Sequence, residues 1–347
     1  MGTRRDPQLS GVGEDALARL FGAAGLRAAP GRGGVVLGPG DDAAVVRIPG
    51  ATRLVLTADL MAEGVHFRRA WSTPAGLGWK LAAVNASDVA AMGARPRWAL
   101  FSAALPPGLA ASFAAGLARG LHAAAQRFGF AIVGGDTCAS ADGIFLSLAL
   151  AGAAGPRILT RAGSRPGDLL FVTGHLGAST LGLAAMERGG PALRAPALRS
   201  CARRHLRPEP RLAFGAALAR LGLATAAMDV SDGVSRDLGR LCLAGGVGAA
   251  VDAAALPLRP ATRRAAALLG RDAAEAALHG GEEYELLFTA RPADAGRIAA
   301  LARRLDLPAT RIGTIAPRRA GLTVTDGCGV RRPLAPRGWE HFAPPQG

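Results

Sequence analysis

The stretch Gly78-Trp79-Lys80-Leu81-Ala82-Ala83-Val84-Asn85-Ala86-Ser87-Asp88-Val89-Ala90-Ala91-Met92-Gly93-Ala94 reads as a helix that is apolar on nearly every side. Asp88 sits well inside the pattern, where aspartate is a poor helix former and has no cap to make. It shares a face with Asn85 (i, i+3) and Val84 (i, i+4), so the spacing predicts one polar edge leaving an otherwise apolar helix. Lys80 is the only lysine among 41 basic residues, and Asn85 is the only asparagine. The only tyrosine, Tyr284, lies in a second stretch, Gly280-Gly281-Glu282-Glu283-Tyr284-Glu285-Leu286-Leu287-Phe288. These three residues use A/T-rich codons, whereas a chain full of Ala, Gly, Arg and Pro has the composition of a GC-rich genome. Surface lysines drift to arginine at small physical cost. A lysine that survives marks a place where a planar fork cannot replace a compact ammonium. Both stretches are therefore read as functional.

Around the helix, strands and helices interleave. Strands are predicted at 35–37, 43–48, 53–59, 97–105, 130–133 (stopping at Gly134-Gly135-Asp136-Thr137) and 144–151. Helices are predicted over 14–23 and 109–128. A small-residue turn near 153–156 divides the chain into domains at 1–153 and 154–347. The second begins with a strand at 169–174 and Arg- and Ala-rich helices within 176–221. Asp229-Val230-Ser231-Asp232-Gly233 then precedes a helix over 234–244. Strands at 248–256, 284–290, 311–315 and 322–325 alternate with helices at 261–269 and 293–305. The fold class is α/β of the α+β type, with mixed sheets rather than a clean doubly wound one.

Composition removes several functions. Half of the 347 residues are hydrophobic, which is globular rather than disordered. The formal charge of +15 invites nucleic acid, but the arginines are scattered and aromatics make up 5%. A basic groove with stacking platforms needs clusters of both, so no nucleic acid is expected. The longest uncharged run, 98–118, is broken by Pro106-Pro107 and reads as strand, turn and helix start, so no membrane span is expected. No apolar signal segment opens the chain, and Cys138, Cys201, Cys242 and Cys328 are widely spaced with no C-x-x-C pair. Both features point to the reducing cytoplasm.

The chemistry rests on aspartates. Asp41, Asp42, Asp59, Asp136, Asp229 and Asp232 each sit at a strand end, a Gly turn or a helix terminus, and Asp88 lies inside the helix. Singly, each of the six outside the helix reads as a turn or cap residue, with Asp232 an N-cap for the helix that follows. Together they converge as carboxylates that repel one another unless cations lie between them. Hard divalent ions suit such a set, Mg²⁺ above all, bound through a few carboxylates and a substrate's phosphates. No Walker-type loop and no G-x-S-x-G elbow is present.

Gly40-Asp41-Asp42, Thr57-Ala58-Asp59 with Glu63-Gly64-Val65-His66-Phe67, and the central part of the helix stretch resemble the thiamine-monophosphate kinase family. So do Gly134-Gly135-Asp136-Thr137, His205-Leu206-Arg207-Pro208, Asp229 to Gly233, the stretch around Glu282 and Gly338-Trp339-Glu340-His341-Phe342. That family belongs to the aminoimidazole-ribonucleotide-synthetase-like ATP-binding superfamily. The resemblance implies two αβ domains, a homodimer formed through the N-terminal sheets, ATP, and several Mg²⁺ ions. It makes Asp42, Thr57, Asp59, Asp88, Asp136, Asp229 and Asp232 metal ligands or their supports. Ala58, where the family usually has a hydroxyl residue, could contribute only a backbone carbonyl. Gly135, Asp136, Arg161 and Ser231 would contact ATP, and His66, Glu282 and Trp339 thiamine monophosphate. Glu283 replaces the family's usual aspartate. The implied activity is phosphorylation of thiamine monophosphate to thiamine diphosphate. Rival readings are another superfamily member, such as a cyclo-ligase or a selenophosphate synthetase, and a basic nucleic-acid-binding protein.

Overall fold

The computed structural model describes residues 35–37, 41–47 and 53–339. The expected helix at 14–23, the motif residue Gly40 and Glu340-His341-Phe342 lie outside the described residues. The first half comprises β1 (Val35–Leu37), β2 (Ala44–Arg47), β3 (Arg53–Ala62), α1 (Pro74–Ala91), β4 (Arg95–Leu105), α2 (Ala111–Phe128), β5 (Ala131–Ala139) and β6 (Phe145–Ala154). Its six strands form one sheet in the order β1-β2-β3-β6-β4-β5, with β4 and β5 parallel and the other neighbours antiparallel. The second half opens with β7 (Leu169–Thr173), α3 (Ala178–Glu187), α4 (Pro196–Leu206) and α5 (Leu212–Leu221). It continues through β8 (Ala226–Asp229), α6 (Val234–Gly245), β9 (Val247–Asp252), α7 (Pro260–Leu269) and α8 (Ala273–His279). β10 (Leu286–Ala290), α9 (Ala295–Arg304), β11 (Ala309–Pro317), β12 (Leu322–Thr325) and β13 (Arg331–Pro333) complete it. Its seven strands run β13-β12-β9-β11-β7-β10-β8, with β9 and β12 parallel. Both sheets are mixed, as expected. Among the described residues no helix is long and apolar enough to cross a membrane.

α1 is the hub. It starts four residues before the predicted stretch, because Thr73 caps it by accepting the Gly76 amide at 3.0 Å and Pro74 supplies a preset first turn. It ends at Ala91, with Met92 as C-cap and Gly93 beyond it at φ +68°, which stops the helix. Its flanks pack against β3, β6 and α2 in the first core, while Ala90 and Ala91 belong to a second core with Phe214 and Leu218 of α5. That position demands near contact between backbones. A Cβ on Gly120 would stand 1.9 Å from the Ala75 carbonyl oxygen, and one on Gly215 2.0 Å from that of Ala90. The expected polar edge exists but turns inward: Asn85 is buried and Asp88 half-buried, and the helix also buries Lys80 and Ser87.

Some expected boundaries move. β5 does not stop at Gly134 but continues to Ala139 alongside β4. Val133 is bulged out between the Ala99–Ile132 and Leu100–Gly134 pairs, and Gly135 follows at φ +153°, where a Cβ would strike the Phe101 carbonyl oxygen at 1.6 Å. The glycines thus let the strand pass instead of ending it. Tyr284 falls outside β10, which starts at Leu286, and β8 and α8 were not anticipated.

Candidate active site

Three carboxylates from different elements meet beside α1. Asp42 precedes β2, Asp88 lies on α1 and Asp229 ends β8; one oxygen of each lies within 4.8 Å of the others. Sequence separation hides this convergence, but β-sheet ends and a buried helix bring it about. Neighbouring hydroxyls hold the carboxylates: Thr57 Oγ1 donates to Asp88 at 2.5 Å, and Ser87 Oγ donates to Asp229 at 2.6 Å. Asn85 ties the adjacent strand to the helix, accepting the Asp59 amide at 3.1 Å and donating to the Leu81 carbonyl at 2.9 Å. Thr57 and Asp59 share the inward face of β3, and Ala58 points to the other, exposed face.

Crowding shows in the proton affinities. Burial, then the charges of Asp59, Asp229 and Asp42, push Asp88 well above the usual carboxylate range, with Thr57 opposing. Burial, then Asp42, does the same to Asp229. Burial raises Asp59 to about 6. Asp42 is also raised by burial, against the pull of Arg161, whose Nη2 donates to Asp42 Oδ1 at 2.7 Å. The other Asp42 oxygen, Oδ2, is buried with no hydrogen-bond partner among the described residues. An orphaned carboxylate oxygen among converging hard-oxygen donors is what a Mg²⁺-type cation satisfies.

A second constellation gathers around Glu282, in the loop before β10. Glu282 sits at φ +58° and Tyr284 at φ +52°, in a loop pinned to the Asp229–Gly233 segment. The Glu282 amide donates to the Ser231 carbonyl at 2.6 Å and the Tyr284 amide to Val230 at 2.8 Å. Lys80 Nζ reaches Glu282 Oε1 at 2.8 Å, and His205 Nδ1 lies 3.1 Å from Oε2. Burial disfavours the Glu282 charge, but Lys80, His205 and His66 outweigh it and hold its pKa below the usual value. His66 occupies a tight turn after β3, with its Nδ1 accepting the Ala62 amide at 3.0 Å, which leaves the hydrogen of the neutral ring on Nε2.

The remaining predicted residues fall into place unevenly. Ser231 adjoins Asp229, and Arg161 bridges Asp41 and Asp42. Asp232 does not cap α6: Gly233 holds that position, and Asp232 pairs with Arg240 instead. The capping work belongs to Asp237, unremarked in the sequence, whose Oδ2 accepts the amides of Ser231, Asp232 and Gly233 at 3.0–3.1 Å. An aspartate in the first turn of the following helix was the available signal. Gly135 and Asp136 are not gathered into the cluster. Asp136 pairs in register with Ser102, Ser102 with Ser147, and Ser147 with Leu60, which puts Asp136 on the sheet face opposite Asp59. Trp339 is half exposed, and its amide donates to the Asp232 carbonyl at 3.4 Å. The His205–Pro208 motif clasps the start of α1: Pro208 accepts the Trp79 indole N–H at 2.9 Å and Arg207 lies 3.5 Å over the Trp79 ring.

Residues 40–154 match the family model described as AIR synthase related protein, N-terminal domain, and residues 165–325 match that of the C-terminal domain. Thiamine-monophosphate kinase of Rhodopirellula baltica is 37% identical over 82% of this chain and 84% of its own length. That of Salmonella typhimurium is 37% identical over 90% of this chain and 93% of its own. The solved structure of AaThiL complexed with AMPPCP and TMP superposes with a TM-score of 0.82 at 32% identity, covering 97% of this chain and 100% of that one. With both domain models matched in order and such relatives along most of its length, the chain belongs to the thiamine-monophosphate kinase family of AIR synthase related proteins.

Proposed function

We propose that this protein transfers the γ-phosphoryl group of ATP to thiamine monophosphate, giving thiamine diphosphate and ADP. The observation that carries the reading is the meeting of Asp42, Asp88 and Asp229, with an unpartnered Asp42 oxygen, beside a Glu282 held ionised by Lys80. The donor set suits Mg²⁺, held by Asp42, Asp88 and Asp229 with Asp59 and Thr57 in support, and by Asp136 and Asp232 as the family resemblance implies. When bound, Mg²⁺ neutralises the phosphates of donor and acceptor, which otherwise repel each other. Thr57 and Ser87 fix the directions of Asp88 and Asp229, so the carboxylates need no rearrangement when the nucleotide arrives. Gly135, Arg161 and Ser231 are proposed to contact ATP, and His66, Glu282 and Trp339 thiamine monophosphate. Glu282 offers an anion to the cationic heterocycle, His66 an N–H, and Trp339 an aromatic surface.

The acceptor phosphate is anionic at neutral pH and needs alignment rather than a general base. A single in-line transfer through a ternary complex follows, with inversion at phosphorus. The division at 1–153 and 154–347, the first part carrying nucleotide and dimer contacts, belongs to the same proposal. Leu60, Trp98, Leu100 and Val133 expose apolar surface on the N-terminal sheet, and this supports pairing with a second copy. The four unpaired cysteines suit the cytoplasm.

The test is ADP release by the purified protein with Mg²⁺, ATP and thiamine monophosphate, with thiamine and an aminoimidazole-ribonucleotide precursor as control acceptors. Release dependent on thiamine monophosphate alone is expected. Turnover with the precursor instead would transfer the reading to another branch of the superfamily.

A further inference from the structure

Lys80 makes three contacts that fit an ammonium and no other side chain. Its Nζ lies 2.8 Å from Glu282 Oε1, 3.3 Å from the His66 carbonyl oxygen and 3.4 Å from His205 Nε2. Three hydrogens thus meet three acceptors, around a residue that is 2% exposed. The acceptors come from three separate segments: the loop before β10, the turn after β3 and the end of α4. Two of these segments carry the residues assigned above to thiamine monophosphate, one from each half of the molecule.

His205 completes the arrangement. Burial, then the Lys80 charge, lower its pKa to about 4, so the ring is neutral at physiological pH. With Nε2 facing the ammonium as an acceptor, its single hydrogen lies on Nδ1. From there it points to Glu282 Oε2 at 3.1 Å and to Ser179 Oγ at 3.0 Å. Each Glu282 oxygen therefore has one donor behind it, yet the side chain is still 26% exposed, with lone pairs left for a ligand. The titratable groups that face Glu282 are Lys80 from α1, His205 from α4, His66 from its turn and Tyr284 two residues along the loop. The loop itself bears non-glycine residues at positive φ, a conformation that persists only when its surroundings hold it.

We infer that Lys80 and His205 are positioning residues for the phosphoryl acceptor: together they aim Glu282 as a carboxylate and fix its distance from the His66 turn, so they set affinity for the acceptor and not for the nucleotide. The inference rests on the reading of Glu282 and His66 as substrate contacts. It also accounts for the lone lysine. An arginine is longer, and its planar fork cannot meet a carboxylate, a carbonyl and an imidazole nitrogen disposed around one point.

The experiment is steady-state kinetics of the full-length protein and its variants K80R, K80M, H205A and H205N, with KM measured separately for thiamine monophosphate and ATP. K80R and K80M are expected to raise KM for thiamine monophosphate at least tenfold while KM for ATP moves less than twofold. In K80M the acid limb of kcat/KM for thiamine monophosphate moves up by at least one pH unit, because the charge that offsets the burial of Glu282 is gone. H205A is expected to raise the same KM. H205N, whose amide N–H can stand in for Nδ1–H, recovers part of the loss. K80R with an unchanged KM overturns the inference, as do equal rises in both KM values with an unmoved acid limb. If K80M does not fold, K80R and the His205 pair decide. A wild-type protein inactive on thiamine monophosphate overturns the functional reading as well, whereas an active wild type with a silent K80R overturns this inference alone.

Discussion

Individual residues here carry charges that the fold makes costly. Asp88→Asn and Asp59→Asn each remove a carboxylate from a crowded, buried set, so thermal stability without metal should stay level or rise. Turnover should fall by a factor of about 10²–10³ or more, and the stabilisation conferred by Mg·ATP should shrink. Melting curves with and without Mg·ATP, beside initial rates, check this; near wild-type rates in both variants would remove the metal site. Glu283 makes a different prediction. It is fully buried, with Oε2 unpartnered among the described residues, and burial raises its pKa to about 8, against the pull of Arg204 and the Ser179 amide. The folded protein therefore keeps a proton that the unfolded chain surrenders near its ordinary value. Its contribution to stability is complete below that ordinary value and is lost as the pH rises through about 8. Glu283→Gln should flatten the fall in melting temperature between pH 6 and pH 9. An unchanged slope would mean that Glu283 is already ionised in the fold.

At the scale of elements, the site depends on how closely helices can approach. α1 delivers Lys80, Asn85, Ser87 and Asp88 to their partners only because α2 and α5 come within backbone contact at Gly120 and Gly215. Gly215→Ala places a methyl group 2.0 Å from the Ala90 carbonyl oxygen, a contact that only separation of α5 from α1 can relieve. We expect a loss of about 1–3 kcal/mol, seen as a lower denaturant midpoint with an unchanged slope. Because α1 carries Asp88 and also Ser87, which donates to Asp229, a displaced α1 should weaken Mg·ATP binding as well. A stable, fully active Gly215→Ala protein would show that α1 tolerates the shift. The same scale explains the misjudged β5. Two glycines read as a strand end in one dimension, but the sheet needs them to carry a bulge past Phe101.

At the scale of the whole molecule, the outer face of the N-terminal sheet presents apolar side chains. Leu60 and Val133 are 57% and 60% exposed, on a sheet whose other face is packed by α1 and α2. A second copy of this chain is the proposed cover, and Leu60→Glu with Leu100→Glu should turn a dimer into a monomer in sedimentation velocity. A wild-type protein that sediments as a monomer at every concentration would end that proposal. Asp136 lies on the same face, so its contribution to nucleotide binding is expected to fall with the dimer.

By itself the sequence determined the class and most elements of this protein, because hydrophobic period and glycine punctuation are local. It also marked Lys80, Asn85 and Tyr284, since rare residues in a drifting composition are visible without coordinates. Which aspartates meet was decided only by tertiary structure. Asp42, Asp88 and Asp229 look no different in sequence from Asp136 and Asp232, yet strand parity sends Asp136 to the opposite sheet face and Arg240 engages Asp232. The partners of Lys80 were equally hidden. His66, His205 and Glu282 lie on three distant segments, and a carboxylate at positive φ beside a neutral imidazole arises only when packing has paid the cost of holding both.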